Sequence, residues 1–252
     1  MTQSLCQGGN HTPTVSEPTG LARGLQRALS LESVRLDVAE RQPGAAVLLN
    51  PRRLELLLTA AAYPGVHLRS ASRLLLSPLP SLRFHVRRLE ARGFLRTWRS
   101  GARVHLFVPG MFPARAEPFL AVWEDPFDRR VLRLIEARPG LSREALGRQI
   151  VPDARDLERS LRRLLACGAV RTRPSKDTRR LWLTSAWTRF EGLCHDGVPD
   201  RLERFLELLR AEGLHPRLEE VSTDRVRMSV DGPRFRIRFA LPLDPLTRDE
   251  KS

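Results

Sequence analysis

The stretch Val86-Arg87-Arg88-Leu89-Glu90-Ala91-Arg92-Gly93-Phe94-Leu95-Arg96-Thr97 returns 75 residues later as Leu161-Arg162-Arg163-Leu164-Leu165-Ala166-Cys167-Gly168-Ala169-Val170-Arg171-Thr172. The same offset carries Pro51 onto Pro126, Pro64-Gly65 onto Pro139-Gly140 and Leu106 onto Leu181, with no gap. Pairing 50–108 with 125–183 gives 16 identities in 59 positions. Pairs such as Asn50/Asp125, Leu56/Val131 and Phe107/Trp182 keep their character. An ungapped match that preserves turn residues implies one small fold used twice.

Each copy reads the same way. Asn50-Pro51 and Asp125-Pro126 are helix starts, a side-chain oxygen to cap free N–H groups followed by proline in the first turn. Leu54, Leu57, Leu58 and Ala61 then follow at helical spacing, and Pro64-Gly65 ends the helix. A second helix is expected over about Leu68–Leu76 and a third from about Pro80 to Ala91, with Leu82, Val86 and Leu89 inward and Gly93 as the stop. Alternating segments Phe94–Arg99 and Arg103–Val108 around Ser100-Gly101 predict a β-hairpin. The second copy repeats the series, with Asp153 and Asp156 opening its third helix and a hairpin over about Ala169–Leu183.

Outside the copies, residues 1–44 read as a disordered or weakly helical segment, with leucines at 21, 25 and 29. Residues 111–124 read as a linker between units 45–110 and 125–185. Over 186–252, Trp187, Phe190 and Leu193 suggest a connecting helix, followed by an amphipathic helix over Asp200–Glu212 and three strands near Arg217–Val221, Arg225–Val230 and Phe235–Leu241. The expected class is therefore mainly α with small β-hairpins, an α+β fold. The last part forms a small domain of its own or completes a sheet in a partner chain.

The formal charge of +14 is concentrated in the repeats. Residues 51–110 carry +9 and 126–185 carry +8, whereas 1–50, 111–125 and 186–252 carry 0, −2 and −1. Nearly all the cations are arginine, whose planar fork suits phosphate and guanine. A GC-rich genome also favours arginine, and composition alone does not separate the two; the net positive excess sits in the two repeats.

Three helices followed by a hairpin is the order of a winged helix-turn-helix. Pro64-Gly65-Val66-His67-Leu68 and Leu82-Arg83-Phe84-His85-Val86-Arg87-Arg88-Leu89-Glu90 resemble the tandem winged helix-turn-helix regulators of archaea and some bacteria, with units akin to ArsR and MarR transcription factors. The second copy keeps only the Pro-Gly step, the leucine spacing and the glycine. The resemblance covers roughly 50–185 and implies double-stranded DNA as partner. In such a unit the third helix enters the major groove and the hairpin reaches the backbone or minor groove.

On that reading Ser81 and Arg83 sit where base edges are met, with His85 on the same outer face. Arg87 and Arg88 meet phosphates, Arg69 and Arg73 grip the flanking strand, and Arg99 and Arg103 extend from the wing. The second copy adds Arg171, Arg173, Lys176 and Arg179 as weaker phosphate contacts, or serves in pairing, which leaves room for a homodimer. Phe84 is expected to pack inward and Trp98 to fill the wing. The acids Asp153, Asp156 and Glu158 reduce the second recognition helix to +1 against +3 for the first, so the first copy is expected to lead.

Catalysis is not expected. The chain has no Gly-rich phosphate loop, HExxH, Cys-x-x-Cys or nucleophile elbow. No metal or cofactor is called for, since Cys194-His195 is adjacent rather than metal-spaced. Three scattered cysteines fit a reducing compartment. With no apolar run of membrane-spanning length and no signal-like start, a cytoplasmic location is expected. A competing expectation is a tandem winged-helix scaffold that binds protein rather than DNA. The sequence names no effector.

Overall fold

The computed structural model describes residues 47–150, 154–175 and 178–246. The expected N-terminal segment, the Asp153 cap and Lys176 lie outside the described residues. Among the described residues the fold is α+β with three small antiparallel sheets. Among the described residues no helix is long and apolar enough to cross a membrane.

The first repeat runs α1 (Pro51–Ala62), β1 (Val66–His67), α2 (Leu68–Leu74), α3 (Leu79–Glu90), β2 (Arg96–Ser100) and β3 (Arg103–Phe107). After α4 (Glu117–Trp123), the second runs α5 (Pro126–Ala137), β4 (Leu141–Ser142), α6 (Arg143–Gln149), α7 (Ala154–Ala166), β5 (Val170–Ser175) and β6 (Thr178–Leu183). Shifted by 75, the element ends agree to within one residue. The sheets repeat too, in the orders β1-β3-β2 and β4-β6-β5. Val66 pairs with Leu106 as Leu141 pairs with Leu181. The short strands β1 and β4 escape a periodicity reading because two residues show no period.

Local chemistry explains the repeat. The Asn50 side chain accepts from the Arg53 N–H and the Asp125 side chain from Phe127, each followed by proline. His67 caps α2 through Nδ1, which accepts from the Arg69 N–H at 3.3 Å. Burial, helped by the charges of His105, Arg103, Arg69 and Arg73, pushes the His67 pKa down to about 4, so its ring stays a neutral acceptor at neutral pH. Inward triplets Leu82/Val86/Leu89 and Leu157/Leu161/Leu164 seat α3 and α7.

Gly65 and Gly93 both adopt positive φ, +83° and +74°, but for different reasons. A Cβ on Gly65 would stand 2.9 Å from the Leu120 carbonyl carbon, whereas one on Gly93 would meet nothing within 4 Å. Gly65→Ala is therefore expected to cost about 2–3 kcal/mol, from left-handed strain plus overlap with α4 backbone. Gly93→Ala should cost only about 1 kcal/mol. Urea unfolding of both variants checks the difference.

The segment expected to be a linker is instead core. Met111, Phe112, Ala116 and Leu120 to Trp123 are buried. Phe119 stacks on Phe190 at 5.2 Å between centroids, and Trp123 lies 5.7 Å from Trp187 of α8 (Ser185–Asp196). Leu-Ala-Val-Trp has no polar face because the helix is covered all round.

The C-terminal part is α8, α9 (Val198–Ala211) and the meander β7 (His215–Val221), β8 (Arg225–Gly232) and β9 (Phe235–Pro242). The expected helix and three strands are present, but β9 packs on α1, tying them to the first repeat. Packed also on α2, α3 and β3, α1 is buried at every residue from Leu54 to Ala62. Arg201, only 7% exposed, donates to the carbonyls of Leu193 (2.8 Å), Cys194 (2.5 Å) and Leu243 (3.2 Å). It thereby closes the end of α8 onto the last strand. The Trp123 indole donates to the Pro245 carbonyl at 3.1 Å.

Candidate functional site

Helix α3 is the most exposed basic element of the first repeat. Leu82, Val86 and Leu89 face the core, which turns Ser81, Arg83, Arg87 and Arg88 outward, all exposed. Its N-terminus follows Pro78, and no side chain caps the first turn. Arg69 and Arg73 on α2 and Arg99 on β2 are exposed as well. None of these arginines is held in an ion pair among the described residues.

Three sequence expectations are corrected here. His85 is half-buried with Nδ1 closed off from solvent, because its repeat equivalent is the fully buried Ser160 and that position faces the bundle. Arg103 donates to Asp125 at 2.8 Å and is tied to the second repeat rather than extended from the wing. Phe84, expected to pack inward, is 47% exposed with the Arg88 guanidinium 5.4 Å from its ring centre. Trp98 does sit half-buried in the wing, 5.8 Å from the His105 ring. Sequence reasoning also missed Leu76, 84% exposed at φ 47° in the turn leading to α3. A leucine carries no local signal for a left-handed conformation.

The second repeat treats its third-helix cations differently. Arg163 donates through Nε and Nη2 to Asp128 at 2.8 and 2.7 Å, and to Asp125 at 3.2 Å. Arg159 pairs with Asp156 at 2.7 Å and Arg143 with Glu158 at 2.5 Å. Burial alone would raise the Asp125 carboxyl. The Arg103 hydrogen bond, the charges of Arg163 and Arg103, and the Phe127 N–H together hold it below the usual range. Arg162, the counterpart of Arg87, stays exposed on α7, and in the hairpin Arg171, Arg173 and Arg179 all face solvent. Arg173 lies 5.7 Å from the Trp182 ring centre.

The contrast traces to two positions. Arg163 corresponds to Arg88, and its partners Asp125 and Asp128 correspond to Asn50 and Arg53. Where the second repeat has two acids beneath the arginine, the first has an amide and another cation. Arg88 therefore stays exposed while Arg163 is folded down. The described residues contain no group of three or more His, Cys, Asp or Glu side chains placed to hold a metal. Burial pushes the Cys194 thiol up to about 12 and Cys167 to about 11, leaving both protonated and unreactive at neutral pH.

No family model matches the chain, and no curated protein matches it. Among solved structures it is similar to a conserved hypothetical protein from Chlorobium tepidum at 20% identity, over 55% of this chain and 96% of that one, with a TM-score of 0.22. It is also similar to IdeR from T. acidophilum at 16% identity, over 84% of this chain and 96% of that one, with a TM-score of 0.20. Scores this low establish neither a shared arrangement nor a shared activity.

Proposed function

We propose that the protein is a cytoplasmic, non-catalytic regulator that binds double-stranded DNA through two tandem winged helix-turn-helix units, the first of which reads sequence. One observation carries the reading. Arg88 of α3 is left without an acidic partner, beside the exposed Arg83 and Arg87, while its counterpart Arg163 on α7 is held within the fold by Asp128 and Asp125. The element order and the sheet order β1-β3-β2 in each unit support it, since they bring a helix-turn-helix and a two-stranded wing to one unit. In this reading Ser81 and Arg83 meet base edges, Arg87 and Arg88 meet phosphates, and Arg69, Arg73 and Arg99 flank them. Arg171, Arg173 and Arg179 add phosphate contacts from the second wing.

The test is duplex binding across a salt series, using fragments selected from genomic DNA. Affinity should fall linearly in log–log form, with a slope of about 0.9 per phosphate contact. Arg83→Ala should relax preference at one base position by about 1–3 kcal/mol, while Arg99→Ala weakens all sequences alike. Absence of duplex binding at low salt sinks the proposal. The withdrawal of Arg163 from the surface of α7 favours one second reading, a protein-binding scaffold. A complex that survives both nuclease and high salt would identify it.

A further inference from the structure

Strand β7 is an edge of the C-terminal sheet. Among the described residues only β8 pairs with it, and six of its seven residues are exposed. Register places Leu218 beside Met228 and Phe239, and Val221 beside Val226 and Leu241. These four neighbours are buried, with Phe205 of α9 packed edge-on against Phe239. Leu218 and Val221 therefore lie on the core face of the sheet, yet they are 49% and 65% exposed. The core of this part runs out past its last strand with its apolar face uncovered. An edge of this kind, carrying apolar side chains and unpaired backbone groups, is a template for another strand.

The sequence of β7 states which strand fits. His215-Pro216-Arg217-Leu218-Glu219-Glu220-Val221 places a cation before Leu218 and two anions after it. Antiparallel pairing with a second copy about a twofold axis at Leu218 sets leucine against leucine. It also sets Arg217 of each chain against Glu219 of the other, at the irregularity that β7 carries between Leu218 and Glu220, where these side chains also reach Asp231 and Arg238 of their own sheet. Like charges face each other nowhere in that register, and cross-strand opposite pairs are favourable. We propose that the protein forms a twofold-symmetric dimer by β7–β7 pairing, which joins two three-stranded sheets into one of six strands. In that register Glu220 and Val221 of each chain face Pro216 and His215 of the other, and because Pro216 lacks an N–H the ladder is confined to Arg217–Glu219.

The inference is independent of DNA reading and its test contains no nucleic acid. Sedimentation velocity on the full chain should show a dimer whose dissociation constant rises more than tenfold on Leu218→Arg with Val221→Arg. Charge swapping tests the register. Arg217→Glu alone and Glu219→Arg with Glu220→Arg alone should each be monomeric, while an equimolar mixture of the two variants re-forms a dimer. Circular dichroism melts of the variants separate lost pairing from lost folding. The idea is overturned if the wild type is monomeric throughout the concentration series. It is equally overturned if removal of residues 1–46 is needed for dimerisation, or if the mixed variants stay monomeric while each melts cooperatively.

Discussion

Asp128→Ala is expected to lower the unfolding free energy by about 3–5 kcal/mol, the range for breaking a buried pair by removing one partner. In a chain of this size that is a drop of roughly 10 °C in melting temperature. Asp128 is wholly buried and Arg163 has 20% of its side chain exposed. The two meet through both carboxylate oxygens, so no water stands ready to replace the acid. Its loss leaves the guanidinium with Asp125 alone, at 3.2 Å, while Asp125 must also hold Arg103. Arg163→Ala strands the opposite charge and should cost a comparable amount. The double change Asp128→Ala with Arg163→Met should be milder than either single change, because an apolar pair needs no partner. Urea unfolding of the four proteins closes the cycle. If Asp128→Ala melts within about 1 kcal/mol of the wild type, the pair contributes no more than a surface bridge.

The same cluster gives a pH dependence whose sign is fixed by Asp125. Its carboxyl is held below the ordinary 3.8, so the stabilisation is present above that value and is lost as pH falls through the lower folded value. Asp128 pulls the other way, since burial raises its carboxyl despite the Arg163 hydrogen bonds. Of the two, Asp125 joins the wing of the first unit to α7 of the second, through Arg103 and Arg163. Acid should therefore loosen the link between units.

Much of this architecture was legible in the sequence because duplication supplies a built-in control. Asn50/Asp125, Gly65/Gly140 and Leu89/Leu164 mark a cap, a turn and a core position in both copies, and one assignment supports the other. What was not legible depends on contacts between segments distant in sequence. Helix α4 reads as a linker because its apolar run lacks a polar face, and the partners that cover it, Trp187 and Phe190, come about seventy residues later. Arg103 looks like a wing cation until Asp125 is brought beside it. The outer face of α3 was predictable residue by residue from the spacing of Leu82, Val86 and Leu89. The positions of Phe84 and His85 were the exceptions, since at the margin of an amphipathic stripe spacing alone does not separate half-buried from exposed. No local signal told that Arg88 and Arg163, identical in both copies, differ in availability. That information lies 35 residues upstream of each, at 53 and 128.

The difference between Arg88 and Arg163 should be removable by substitution at positions 50 and 53. Asn50→Asp with Arg53→Asp installs beneath Arg88 the two carboxylates that hold Arg163, on a helix whose ends and cap repeat those of α5. Acidic residues in the first turn of α1 suit its dipole, so the fold should be kept. Arg88 should fold down onto position 53 as Arg163 does onto Asp128, and the unit's charge falls from +9 to +6. Duplex affinity at moderate salt should drop by about a hundredfold, with the salt slope shallower by about 1 for the lost phosphate contact. Arg88→Ala in the same background should then add almost nothing, since the side chain has already left the surface. In the wild-type background Arg88→Ala should reproduce the change in slope. An unchanged affinity in the doubly substituted protein, with folding intact by circular dichroism, would remove Arg88 from the DNA surface. The exposure of its guanidinium would then have to be explained by Phe84 alone.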